Sequence, residues 1–173
     1  MFDPTVFDNL KVALENELYD MDNLDQSVRI TGRVDRIELA AMSRLFRIQF
    51  QLPDVDLITG EIELEASLQE LASEILEHKG ADPGCVLKIR YKMLISNVDE
   101  ICPQIQQVME KIWPAQKVTQ TISYVYDPEK TSTLLSTIEI TFPRKINEEQ
   151  MNDIPELAQF AVHTIQELRD QIK

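Results

Sequence analysis

The sequence predicts an α+β protein, a mainly antiparallel sheet with one polar face and about four to five amphipathic helices packed on the other. Three observations predict it. Several segments alternate apolar and polar residues with period two, the mark of a strand half in a core and half in water. Others space apolar residues three and four apart behind capping residues, the mark of an amphipathic helix. Strands with one polar face, interleaved with helices, favour antiparallel pairing with the helices on the apolar side.

Asp3-Pro4 reads as an N-cap and first helical position, and Phe7, Leu10, Leu14, Leu18 and Met21 follow at helical spacing. Leu10, Val12 and Leu14 also fit a strand, so both readings of residues 4–20 stand, the helix preferred. After an acidic turn at 20–26, Val28 and Ile30 form a short alternating piece before Thr31-Gly32. Val34, Ile37, Ala41 and Leu45 predict a short helix over about 33–44. Phe46, Ile48, Phe50 and Leu52 alternate with Arg47, Gln49 and Gln51 as a half-buried strand ending at Pro53-Asp54. A turn around Thr59-Gly60 then leads to Ile62, Leu64 and Ala66 alternating with Glu61, Glu63 and Glu65, the second arm of a hairpin.

Ser67-Leu-Gln-Glu70 is a capping box, and its helix runs to Gly80, a C′ glycine. Residues 86–95 read as a strand with Leu87, Ile89, Tyr91 and Met93 on one face. The next helix begins near Asn97 or with Pro103 in its first turn, the second preferred because an interior proline costs roughly 3 kcal/mol. Trp113-Pro114 closes it. Strands at about 118–126 and 134–142 flank the polar loop 127–131. Asn147 opens a helical turn, and Asp153, Pro155 and Glu156 start a last helix with Leu157, Ala161, Ile165, Leu168 and Ile172 on its buried face. A helix-hairpin-helix order thus occurs twice, at about 33–79 and 97–172, without matching residues. With 4 glycines and no Ser/Gly linker, residues 1–173 read as one domain, or as two fused lobes near 1–96 and 97–173.

Composition narrows the function. The chain carries 30 acidic and 17 basic residues, a net charge of -13. Such a surface repels nucleic acid and anionic lipid unless a basic face is segregated, and Lys88-Ile-Arg90-Tyr-Lys92 is too small for a nucleic-acid groove. No apolar run approaches the roughly 20 residues that span a bilayer, and Met1 to Asp8 has no basic residue, unlike a signal or transit peptide. Cys85 and Cys102 lie far from any CxxC spacing, and a reducing, cytoplasmic setting is expected.

Catalytic signatures are weak. His78 sits in the last turn of a predicted helix, where a cation suits the macrodipole, and His163 lies near an apolar stripe. They share no metal-ligand spacing. There is no Gly-x-Ser-x-Gly elbow and no phosphate-cradling loop. Asp54, Asp56 and Glu65 stand first, third and twelfth in a segment like a calcium loop. Ile58 at the fifth position and the glycine at the seventh break its geometry.

Two polar rows remain. Glu61, Glu63 and Glu65 line one strand, and Lys88, Arg90 and Lys92 line another. As neighbours they would form cross-strand ion pairs, with Arg47 a further counter-ion, and this is preferred. Apart, the basic row is a docking surface for a carboxylate-rich partner. Phe160 and Val162 widen the apolar arc of the last helix. The expected function is a non-enzymatic protein-interaction, adaptor or chaperone-like module. It acts as a homodimer, uses no cofactor, and presents Lys88, Arg90, Lys92, Phe160 and Val162 as its interaction surface. The alternative is a small-molecule or divalent-cation binding protein, or a metal-dependent enzyme, built on Asp54, Asp56 and Glu61 or Glu65.

Overall fold

The computed structural model describes residues 5–130 and 133–172, with every side chain among them except those of Val55 and Asp56. The elements run α1 (Thr5–Asn23), β1 (Arg29–Glu38), β2 (Ser43–Leu52), β3 (Val55–Ala66), α2 (Leu68–Ile75), β4 (Val86–Ile95), α3 (Val98–Ile112), β5 (Lys117–Ser123), β6 (Leu134–Thr141), a 3-10 turn (Glu148–Asp153) and α4 (Ile154–Gln171). The six strands form one antiparallel open sheet in the order β1-β2-β3-β4-β6-β5. The fold class is thus α+β with helices layered on one side of the sheet, as the alternation implies.

One contiguous core fills the space between sheet and helices. Phe46, Ile48, Phe50, Ile62, Leu64, Ile89, Tyr91, Ile138 and Ile140 point into it from the strands, all fully buried. α1 contributes Phe7, Leu10, Leu14 and Leu18, and α4 contributes Ala158, Ala161, Ile165 and Leu168. The Tyr91 hydroxyl donates to the Ala161 carbonyl at 2.9 Å, tying β4 to α4. Trp113 Nε1 donates to Thr164 Oγ1 at 2.9 Å and joins α3 to the same helix. Gly60 sits where β3 passes under the Phe50 ring; a Cβ there would lie 2.7 Å from ring carbons and 2.9 Å from Ile165 Cδ1.

Several sequence expectations are corrected. The helix over 33–44 is instead the β1–β2 hairpin. β1 conceals its period because Arg33 and Asp35 occupy its helix-facing side and pair with Glu15 and Lys11 of α1 rather than entering the core. The first helix-hairpin-helix copy therefore does not exist. The β2–β3 turn lies at Pro53-Asp54, not at Thr59-Gly60. α2 stops at Ile75, five residues before Gly80, and Glu77 takes the first left-handed conformation (φ 48°). Its Glu70 does not close a capping box but accepts from the Gly84 amide and pairs with Lys145. α3 starts after Asn97, whose side chain accepts from the Asp99 amide, so Pro103 lies inside it. The lost ladder bond there falls on the carbonyl of Asp99, in the exposed first turn where water can serve it. Asp153 makes no side-chain cap, because the 3-10 turn runs straight into α4. The expected cap at Asp3-Pro4 lies outside the described residues.

Candidate functional site, the open face of the sheet

The face of the sheet turned away from the helices is built by the polar phase of each strand. β2 sends Arg47, Gln49 and Gln51 there, β3 sends Thr59, Glu61, Glu63 and Glu65, and β4 sends Lys88, Arg90 and Lys92. β3 and β4 are neighbours with Glu61 opposite Arg90 and Glu63 opposite Lys88, so the acidic and basic rows do meet.

Arg90 is the hub. Its Nη1 donates to Glu61 Oε1 at 2.9 Å and to Glu63 Oε2 at 3.0 Å, its Nη2 to Glu63 Oε1 at 3.1 Å, and its Nε to Glu139 Oε2 at 2.6 Å. Arg47 holds Glu63 from the other side at 2.6 Å, and Lys92 stands 3.7 Å from Glu61. Glu61 and Glu63 are only 2% and 4% exposed, although no helix covers them. Burial works to raise the Glu63 carboxyl, but the hydrogen bonds and charges of Arg90 and Arg47 outweigh it and hold the carboxyl below its ordinary range. Burial likewise opposes the Arg90 charge, and its three glutamates raise its pKa nonetheless. The centre of the face is thus a balanced, interlocked set of three carboxylates and three cations.

Not all cations are taken. Lys88 and Lys117 flank Thr141 in one cross-strand row, and neither has an ion-pair partner among the described residues. Among the described side chains of the strands, the open face carries seven cations (Arg29, Arg36, Arg47, Lys88, Arg90, Lys92, Lys117) against five carboxylates (Glu38, Glu61, Glu63, Glu65, Glu139). That is a surplus of positive charge on a chain whose net charge is -13.

The far end of the same face is apolar. Leu94 is opposite Leu135 and Leu135 opposite Ser123, with Leu57 on β3 in the same phase as Thr59 and Glu61. Leu57 and Leu94 are 75% and 64% exposed. Tyr124, Val125 and Tyr126 extend this patch beyond β5. Two adjoining clefts of about 560 Å³ and 430 Å³ share Leu94 and Leu135 in their walls. Lys92 and Arg169 bring cations to the first cleft, and Lys130 to the second.

Phe160 and Val162 are not part of this face. They lie on α4, across the sheet from Lys88, Arg90 and Lys92. Val162 is buried at 6% exposure, and Phe160 rests against Trp113 with ring centroids 5.9 Å apart. Asp54 is in the β2–β3 turn and Glu65 near the opposite end of the 12-residue β3, which is a strand and not a loop. The side chain of Asp56 lies outside the described ones, and no acidic, histidine or cysteine cluster suited to a metal occurs among the described residues. His78 is exposed after α2, and His163 has Glu167 3.9 Å away as its nearest acid. Burial, then Glu74 and Glu70, push the Cys85 thiol up to about 12, so it stays protonated at neutral pH. No described helix is long and apolar enough to cross a membrane.

Comparison with known proteins finds no matching family model, no matching curated protein and no matching solved structure. Function is therefore read from the geometry. The residues that sequence reasoning missed, Leu57, Leu94 and Leu135, did leave a signal. Each is an apolar residue standing in the polar phase of its strand.

Proposed function

We propose that this protein is a non-enzymatic polypeptide-binding module, an adaptor or escort, that works as a homodimer and receives its partner on the open face of the sheet. The observation that carries this reading is the row of Leu57, Leu94 and Leu135, the first two largely exposed and the third half-buried, beside a face whose central charges are locked together. An isolated exposed leucine is ordinary, but a contiguous row lining two clefts marks a contact surface. The partner segment suited to it has an apolar anchor for the leucine end and acidic residues for Lys88 and Lys117. Leu94 and Lys88 are six residues apart on β4, about 20 Å at roughly 3.3 Å per residue. A reducing compartment such as the cytoplasm suits the free thiols of Cys85 and Cys102.

The test is affinity selection from a displayed peptide library, followed by calorimetry. Selected peptides should combine apolar and acidic residues. Their affinity should fall at least about tenfold, near 1.4 kcal/mol, with Leu94→Glu plus Leu135→Glu, and also with Lys88→Glu plus Lys117→Glu. Phe160→Ala should leave it unchanged. A library that yields no binder, or binders indifferent to the leucine changes, refutes the reading.

A further inference from the structure

The sheet is open, so β1 and β5 each leave a row of backbone N–H and C=O groups without a strand neighbour among the described residues. The two edges differ. β1 is guarded, since Arg29, Arg33, Asp35, Arg36 and Glu38 are charged and a bulge interrupts its register between Ile30 and Gly32. β5 is charged only at its first residue, Lys117, and its register has no bulge. From Val118 to Tyr126 the chain carries no charge and is rich in β-branched and aromatic residues, in a protein that is 27% charged. Tyr124, Val125 and Tyr126 at its end are 62%, 85% and 78% exposed.

We infer that β5 is the homodimer interface, two copies pairing their β5 edges antiparallel about a two-fold axis at Ile122 to make one continuous sheet. This inference rests on the homodimeric part of the proposed function and gives it a surface. A two-fold axis perpendicular to the sheet keeps every side chain on its own face, so the allowed registers are those centred on a residue. The register centred on Ile122 pairs residues 121–123 of the two β5 strands and, with residues 124–127 continuing each strand beyond its end at Ser123, sets Lys117 opposite the partner's Asp127 at both ends, a match of opposite charges. It also sets Val118 against the partner's Tyr126 and Gln120 against the partner's Tyr124. Centring on Thr121 instead would place Lys117 opposite Val125 and lose both charge matches. Four tyrosine rings at about 150–250 Å² each, 62% and 78% exposed in the single chain, bring at most roughly 420–700 Å² of newly buried surface. Val125 and the pairing of the strands add to this, toward the roughly 1,200 Å² at the lower end of stable interfaces.

Size-exclusion chromatography with light scattering at high micromolar concentration should give twice the 20.0 kDa chain mass. Thr121→Lys with Ser123→Lys sets lysines opposite one another at the centre of the interface. Both positions are exposed in the single chain, so this variant should elute as a monomer with unchanged circular dichroism. In a Cys102→Ser background, Thr121→Cys protein mixed with Ser123→Cys protein should give the mixed disulfide on oxidation. Thr121→Cys alone should give none, since its two copies stand diagonally beyond bridging distance. A monomeric parent protein, a lysine variant that remains dimeric, or a disulfide from Thr121→Cys alone overturns the inference. So does a monomer that takes up an extended peptide along β5. Binding of selected peptides at the open face is read separately. A monomer that still binds them removes this interface and the homodimeric part of the proposed function but leaves its polypeptide-binding part, and a dimer that binds none removes only that polypeptide-binding part.

Discussion

Replacing Arg90 by methionine keeps much of the side-chain bulk and removes the charge that joins three carboxylates. Arg90 makes four hydrogen bonds, to Glu61, Glu63 and Glu139, and its side chain is only 16% exposed. Hydrogen bonds to charged groups contribute about 1.5–3 kcal/mol each before the cost of desolvating Arg90 is subtracted. Breaking a buried ion pair by deleting one partner costs roughly 3–5 kcal/mol. Arg47 still holds Glu63 and Lys92 still stands near Glu61, so the lower end, about 3 kcal/mol at pH 7, is expected. The folded Glu63 carboxyl is depressed below its unfolded value, so its stabilisation is present above that value and is lost as pH falls through the folded one. Arg90→Met lessens that depression. The gap between parent and variant should therefore be full above the ordinary glutamate pKa of about 4.3 and shrink as the pH falls below it. Urea unfolding followed by circular dichroism above and below that value reads both effects. As a control, Lys111→Ala, which breaks an exposed 3.6 Å pair with Glu167, should cost no more than about 0.5 kcal/mol. An Arg90→Met variant within about 0.5 kcal/mol of the parent at pH 7, or a gap that ignores pH, refutes the claim that Arg90 neutralises buried carboxylates.

Other predictions concern the core, a cap and the thiols. Gly60→Ala forces a methyl against the Phe50 ring and Ile165 and should cost about 1–3 kcal/mol in the same unfolding assay. Asn147→Ala removes the side chain that accepts from the Glu149 amide and should cost about 0.5–2 kcal/mol. With a thiol-reactive dye at mildly alkaline pH, folded protein should label at Cys102 and not at Cys85, whose thiol is buried and pushed up to about 12. Denaturant should expose Cys85 and raise the labelling to both thiols.

The strands that border the core were legible because their two faces meet different surroundings. β4 shows this best, since its apolar phase enters the core and its charged phase meets Glu61, Glu63 and Glu139. β1 was not legible, because as an edge strand it has little core to face and places Arg33 and Asp35 against α1. Its connection to β2 also lacks the expected glycine, since Met42 takes the left-handed conformation at φ 52°. A helix pattern among Val34, Ile37, Ala41 and Leu45 then won by default. The ends of α2 and α3 were misplaced for a similar reason. Gly80 and Pro103 are strong local signals, but Glu77 had already ended one helix and Asn97 had already begun the other. Of the site, the acid–base rows and Arg47 were readable from alternation. The apolar end needed strand order, because Leu94 and Leu135 become neighbours only when β6 inserts between β4 and β5.

Amide chemical-shift mapping during titration with a selected peptide addresses the open face most directly. Perturbations should cluster at Leu57, Leu94 and Leu135 and run along β4 toward Lys88. Perturbations confined to α4 around Phe160, with the sheet untouched, would contradict a polypeptide-binding role for that surface.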